Sequence, residues 1–158
     1  MTAEVKGREV FWKRFALLMG VALVVVFIES HLVIPATPSI RYHALWISPG
    51  AIEKGDYANV VIQNDVIDKD DAVKLTKRVA CVAGEYLKYE DGQHFCNGEW
   101  LGRTLQRTRD GLPLTAFVYD GEIPAGKVYL AGENYRSFDS RYFGLVDVAS
   151  LTRVKPLF

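Results

Sequence analysis

Metal-binding spacing is missing from this chain. Two cysteines and three histidines are spread over 158 residues, and no CxxC, HxxxH or HExxH pattern occurs, so the sequence predicts neither a metal site nor another cofactor. Net charge is missing too: 19 acidic residues balance 19 basic ones. A nucleic-acid-binding surface would be clearly basic, so nucleic acid is not the expected partner. Internal repeats and low-complexity stretches are absent, and no long amphipathic pattern follows residue 34. The length suits one ordinary domain or slightly more.

What is present begins with residues 15–28 (FALLMGVALVVVFI). This uncharged apolar run of about 14 residues reaches roughly 21 Å as a helix, short of a hydrocarbon core of about 30 Å. Adding Leu32, Val33 and Ile34 lengthens it to about 20 residues while carrying Glu29, Ser30 and His31. Lys13 and Arg14 can snorkel at the other end. We read residues 15–34 as one membrane anchor in contact with the lipid bilayer. A buried core helix would show a polar face, and this run has none. A cleaved signal peptide would want an Ala-x-Ala-like site after Ile28, and small residues return only at Ala36-Thr37. Lys6, Arg8, Lys13 and Arg14 precede the run, while Arg41 alone follows it closely. That asymmetry places residues 1–14 in the cytoplasm and residues 35–158 outside, which in a bacterium is the periplasmic face of the inner membrane. In that oxidising compartment Cys81 and Cys96 either form a disulfide or remain two small buried hydrophobes.

The exported part is punctuated by turn signals: Pro49-Gly50, Lys54-Gly55-Asp56, Asp91-Gly92, Asn97-Gly98, Asp110-Gly111, Asp120-Gly121 and Pro124-Ala125-Gly126. Short β-prone runs lie between them, at 57–63, 75–82, 85–89, 116–119 and 128–130. Residues 66–73 (VIDKDDAV) read as an excursion or a short helical turn. The fold class is therefore mainly β, a domain of short antiparallel strands after one N-terminal transmembrane helix.

Three groups of residues can carry chemistry. Residues two apart on a strand share a face. Val73, Leu75, Lys77, Val79 and Cys81 then point one way, and Lys77 is the single polar member. A lysine on an apolar face is desolvated, its pKa falls, and its neutral amine can accept a proton; a lysine that snorkels to water would do nothing of the kind. Near Thr37-Pro38-Ser39, Pro35 and Pro38 hold the chain extended. A serine needs a partner to lose its proton. His31 and His43 lie close in sequence and His94 sits beside a turn, yet nothing orients them toward an acid as a Ser-His-Asp triad requires. Lys77 can serve instead in a Ser-Lys dyad. The third group is 132–144 (GENYRSFDSRYFG), where Ser137, Asp139 and Arg141 would share a strand face; a plain polar turn is the competing reading.

Together these groups resemble the signal peptidase I family of membrane-bound Ser-Lys peptidases. Thr37-Pro38-Ser39-Ile40 resembles its nucleophile block. Gly55-Asp56-Tyr57-Ala58-Asn59-Val60 resembles the strand after it. Thr76-Lys77-Arg78-Val79 through Gly84-Glu85 resembles the general-base block, and Pro124-Ala125-Gly126 through Arg141 the last one. The likeness covers about residues 35–145 and the anchor. It implies Ser39 as nucleophile, Lys77 as base and Asp139 with them in the catalytic set. It gives the Ser39 N–H as an oxyanion donor, Thr37 as its assistant, Ser137 as the residue that orients the lysine, and Arg141 as partner to Asp139. Ser-Phe-Asp-Ser-Arg-Tyr-Phe-Gly at 137–144 and Ala44-Leu45-Trp46 resemble the TraF-like branch of conjugative transfer systems. That branch implies a membrane-bound pilin precursor as substrate, with release by water or by ring closure. The chain departs from the general family at Ile40-Arg41-Tyr42, where Met-x-Pro is usual, and at Glu133 and Tyr135-Arg136. Two rival functions stand beside the peptidase: a non-catalytic membrane-anchored assembly module, and a self-cleaving repressor of the LexA type. The anchor and the lack of a helix-turn-helix segment argue against the repressor.

Overall fold

The computed structural model describes residues 2–35, 37–64, 66 and 68–158, with backbone alone for 2–7, 9–10 and 68–70. The Ala36 cleavage position and the Lys6 side chain weighed above lie outside the described residues. The chain divides into two compact units, with the boundary between Leu32 and Val33.

The first unit is helix α1, Thr2–His31. Its window Phe11–His31 has a mean hydropathy of 2.0 and is long enough to cross a membrane. This candidate span begins and ends earlier in the chain than residues 15–34. Phe11 and Trp12 extend the apolar stretch, and the helix ends at His31, so Leu32–Val33 form strand β1. A β-branched Val33 followed by Ile34-Pro35 favours extended backbone at that point.

In the second unit the strands are β2 (Leu45–Ile47), β3 (Tyr57–Asn64), β4 (Asp68–Val82), β5 (Tyr86–Glu90), β6 (Gln93–Cys96), β7 (Glu99–Arg103), β8 (Asp120–Glu122), β9 (Lys127–Ala131), β10 (Val146–Asp147) and β11 (Thr152–Pro156). Helix α2 (Ser140–Phe143) is a single turn. One sheet has the order β1-β2-β11-β3-β4-β9-β10, and a smaller one β7-β6-β5-β8. The mainly β, antiparallel expectation holds.

The hairpin signals act as expected at Asp91-Gly92 and Asn97-Gly98, where both residues of each pair take positive φ, as two-residue hairpin turns require. Asp120-Gly121 does not turn. It is edge strand β8, with Leu87 opposite Gly121 and Lys88 opposite Asp120. Residues 116–119, expected as strand, lie just before it without regular pairing. Pairing with β5 overrides the local turn preference. Residues 68–73 likewise continue β4 and form no helical turn.

β4 is the spine. It pairs with β3 so that Ala58 faces Lys77 and Val60 faces Leu75. On the other side Val79 faces Leu130 and Cys81 faces Tyr129, with a bulge at Ala80 between them. The bulge inserts one residue and flips the face. Leu75, Lys77 and Val79 keep the expected parity, and Leu75 and Val79 join Ala58, Val60, Val128 and Leu130 in one core. Cys81 departs from it. It joins Ala80, Leu87, Cys96, Ile123 and Tyr129 in a second core, packed between the two sheets. There Cys81 and Cys96 form a disulfide, so of the two readings of these cysteines the covalent one applies. A third core, containing Ile40, Leu45, Tyr57 and Val154, lies beside the segment that carries Ser39.

Candidate active site

Three segments far apart in sequence converge on a cleft of about 520 Å³ lined by Thr37, Ser39, Lys77 and Ser137. Lys77 comes from the middle of β4, opposite the small and fully buried Ala58. Just beyond it, the turn before β3 is bonded to β4: Gly55 N–H donates to the Val79 carbonyl and Val79 N–H to the Asp56 carbonyl, each at 2.8 Å. The Asp56 carboxylate holds Arg153 of β11 through two hydrogen bonds of 2.7 and 2.9 Å. The Gly-Asp block thus fixes the register that aims Lys77.

Lys77 is 1% exposed. Burial is the main influence on its amine, opposed by the charge of Asp139 and aided by Arg141, and the pKa is pushed down to about 8. The sequence-level expectation was a neutral amine near pH 7. The attraction of Asp139 leaves it higher, so about one tenth is neutral at pH 7.

Ser39 is 8% exposed. Its Oγ shares a 2.8 Å hydrogen bond with Thr37 Oγ1, the place given to Thr37 as a supporting hydroxyl. The Ser39 N–H donates to the Thr37 carbonyl at 2.7 Å, closing a three-residue turn. The amide expected to serve as an oxyanion donor is engaged by that turn. Among the described residues no hydrogen bond links Lys77 Nζ to Ser39 Oγ; the two face one cleft. Ser137 is 4% exposed and lines the same cleft, and among the described residues its Oγ has no hydrogen-bond partner.

Asp139 is fully buried and does not line the cleft. One carboxylate oxygen accepts from Gly132 N–H and Arg141 Nη2, both at 2.8 Å. The other accepts from Arg141 Nε at 2.8 Å and Arg141 N–H at 3.1 Å. The remaining Arg141 donors reach the carbonyls of Arg103 at 2.9 Å, Tyr135 at 3.1 Å and Ser137 at 3.0 Å. The pair is neutralised and fully bonded, as buried charges require. Its geometry is that of a clamp: it folds 132–141 into the shape that presents Ser137.

Glu133 is the residue that sequence reasoning undervalued, treating it only as a departure. Its carboxylate accepts from the Arg41 backbone N–H at 2.8 Å and from Tyr57 Oη at 2.6 Å. Its own N–H donates to the Ser39 carbonyl at 2.7 Å. Arg41 adds an ion pair at 3.3 Å. Burial alone would raise this carboxyl, but the Tyr57 and Arg41 hydrogen bonds hold it below the usual range, and Tyr57 is pushed up to about 12. The two departures from the family pattern, at Arg41 and Glu133, therefore meet and brace Ser39. Gly132 completes the join: a β-carbon there would overlap Ser137 and come within 3.2 Å of the Ser39 carbonyl. The sequence signal was the coincidence of two departures of opposite charge.

Of the histidines, His94 is turned to a backbone partner and not to Ser39. It is buried, and its Nε2 lies 2.8 Å from the Phe117 carbonyl. Cys81, Glu85 and Cys96 could hold a metal by proximity, but the thiols are consumed in the disulfide.

Residues 9–154 match the family described as signal peptidase, peptidase S26. The chain belongs to the signal peptidase family. Signal peptidase I V of Bacillus subtilis (strain 168) is 33% identical over 81 residues, 44% of this chain and 48% of that protein; the match thus spans about half the length of that relative. A signal peptidase I from Enterococcus faecalis V583, solved by crystallography, aligns over 66% of this chain and 96% of its own, with 24% identity and a TM-score of 0.42. All four segments described above lie inside the stretch matched to the signal peptidase family.

Proposed function

We propose that this protein is a membrane-anchored serine endopeptidase acting through a Ser39–Lys77 dyad on exported precursors. One observation carries the reading: a lysine 1% exposed, with its pKa pushed down to about 8, faces the same cleft as a serine. Neutral Lys77 Nζ removes the Ser39 Oγ proton, and Oγ attacks the scissile carbonyl. The Lys77 ammonium then passes a proton to the leaving amine, leaving an acyl-enzyme. Water attacks that ester, and Lys77 again takes and returns the proton. An amine in place of water would join two chain ends. Membership in the signal peptidase family supports leader cleavage as the reaction class. The resemblance of residues 137–144 to the TraF-like branch makes a conjugative pilin precursor the proposed substrate. The excess of basic residues before the apolar run 15–28 supports a cytoplasmic N-terminus and a periplasmic site at the bacterial inner membrane.

The test is co-expression with the pilin precursor and mass spectrometry of the pilin. Wild type should yield a shortened pilin, linear or lighter by one water if a ring closes. Ser39→Ala and Lys77→Ala should each leave it full length, with losses on the order of 10⁴-fold or more. Undiminished processing by either variant would instead favour the non-catalytic assembly module.

A further inference from the structure

The cleft does not end at the dyad. Thr108, Arg109, Arg136 and Phe138 line it, and they also line an adjoining cavity of about 110 Å³ to which Leu105, Arg107, Leu114 and Tyr142 contribute. This shared wall is apolar at its base and cationic at its rim. Arg107, Arg109 and Arg136 are all exposed, and among the described residues none of them has an ion-pair partner. Among the described residues Asp110 is the one carboxylate lining the cleft, and it forms no ion pair with these arginines.

Two of the three guanidinium groups are held in place. Arg107 Nη1 donates to the Gly111 carbonyl at 2.8 Å, within a loop closed by a Thr108 N–H to Leu112 carbonyl bond of 2.8 Å. Arg136 Nε donates to Tyr135 Oη at 2.8 Å, with its guanidinium carbon 5.3 Å from the centre of that ring. Among the described residues the Nη groups of Arg136 and the whole guanidinium of Arg109 keep their donors unused. Planar guanidinium forks recognise carboxylates. A wall with unneutralised arginines over Leu105, Leu114 and Phe138 suits a side chain with an apolar stem and an anionic tip.

We propose that this wall is a substrate subsite for a carboxylate, so that the preferred precursor carries an acidic side chain within a few residues of the bond that is cut. The proposal rests on the peptidase reading and specifies its substrate class. Arg136 belongs to the stretch that departs from the family pattern, so the preference is a property of this chain.

The experiment uses the full chain in detergent with alanine-rich decapeptides that carry Glu, Gln or Lys at one position at a time. Wild type should cut the best Glu peptide about fivefold faster in kcat/KM than its Gln counterpart, the scale of one exposed charge pair, and the Lys peptide more slowly still. High salt should shrink the difference. The double variant Arg109→Glu/Arg136→Glu should reverse the order of Glu and Lys. Equal rates for Glu, Gln and Lys peptides at every position would overturn the subsite and leave the peptidase reading standing. Binding of the same peptides to Ser39→Ala separates the remaining cases. Glu-selective binding without cleavage by wild type would keep the subsite and overturn the peptidase. Neither cleavage nor binding would overturn both.

Discussion

Lys77 pays for its position with solvation, and both its chemistry and its cost depend on pH. A base works only when neutral, so kcat/KM should rise about tenfold per pH unit below about 8 and level off above it. A profile flat from pH 6 to 9 would remove Lys77 from the base role. The stability effect runs the same way. The folded pKa, about 8, lies below the 10.5 of an unperturbed lysine. Below pH 8 both folded and unfolded chains hold the proton, and the full penalty of burying the charge is present. Between pH 8 and 10.5 the folded chain has released it and the unfolded one has not, so stability climbs. Lys77→Met should therefore stabilise the fold by about 3 kcal/mol at pH 7 and abolish cleavage, with the gain fading toward pH 11; chemical denaturation at both pH values measures it. Glu133 makes a different kind of prediction. Arg41 is 69% exposed at its side chain, so that ion pair contributes little. The hydrogen bonds from the Arg41 N–H and Tyr57 Oη matter more. Glu133→Gln should lower kcat about tenfold, with KM nearly unchanged and an equal slowing of Ser39 labelling by a serine-directed phosphonate. An unchanged labelling rate would show that Glu133 does not position Ser39.

At the scale of elements, β4 shows what a sequence can reveal and what it hides. Alternation along 75–79 was readable, and it placed Lys77 correctly beside Leu75 and Val79. The flip at Cys81 was not, because a bulge is created by the partner strand β9 and leaves no local mark at Ala80. Asp120-Gly121 failed for the same reason: its turn chemistry was overruled by pairing with β5, a contact distant in sequence. Asp91-Gly92 and Asn97-Gly98 succeeded because each joins strands that are neighbours in sequence. The flip has a consequence. It delivers Cys81 to the core between the sheets, where it reaches Cys96 on β6 and ties the strand carrying Lys77 to the smaller sheet. The two cysteines are 15 apart, and closing a loop of that size contributes about 3 kcal/mol. Cys81→Ala/Cys96→Ala should lower Tm by roughly 10 °C. Dithiothreitol should lower the Tm of wild type and leave that of the double variant unchanged. A wild-type Tm indifferent to the reductant would mean that the bridge adds no stability.

For the whole molecule, what matters is that sites distant in sequence are built by the β unit alone while the helix forms a separate unit. The family blocks were legible because each is local: a Thr-Pro-Ser segment, a Lys-Arg-Val strand, a Gly-Glu-Asn to Arg loop. Their assembly was not, since it depends on the Glu133 N–H meeting the Ser39 carbonyl across the fold and on the Asp139–Arg141 clamp behind them. If the β unit holds the chemistry and α1 supplies only confinement to the bilayer, the two contributions should separate. A chain beginning at Leu32 should cut water-soluble peptides at the full rate. It should process a bilayer-embedded precursor on the order of 10²-fold more slowly, because the tether no longer raises the effective concentration. Replacing residues 11–31 with an unrelated apolar helix of equal length should restore processing, which separates confinement from specific recognition by α1. If the replacement fails while soluble peptides are still cut, the helix itself must contact the precursor, and confinement is not its whole role.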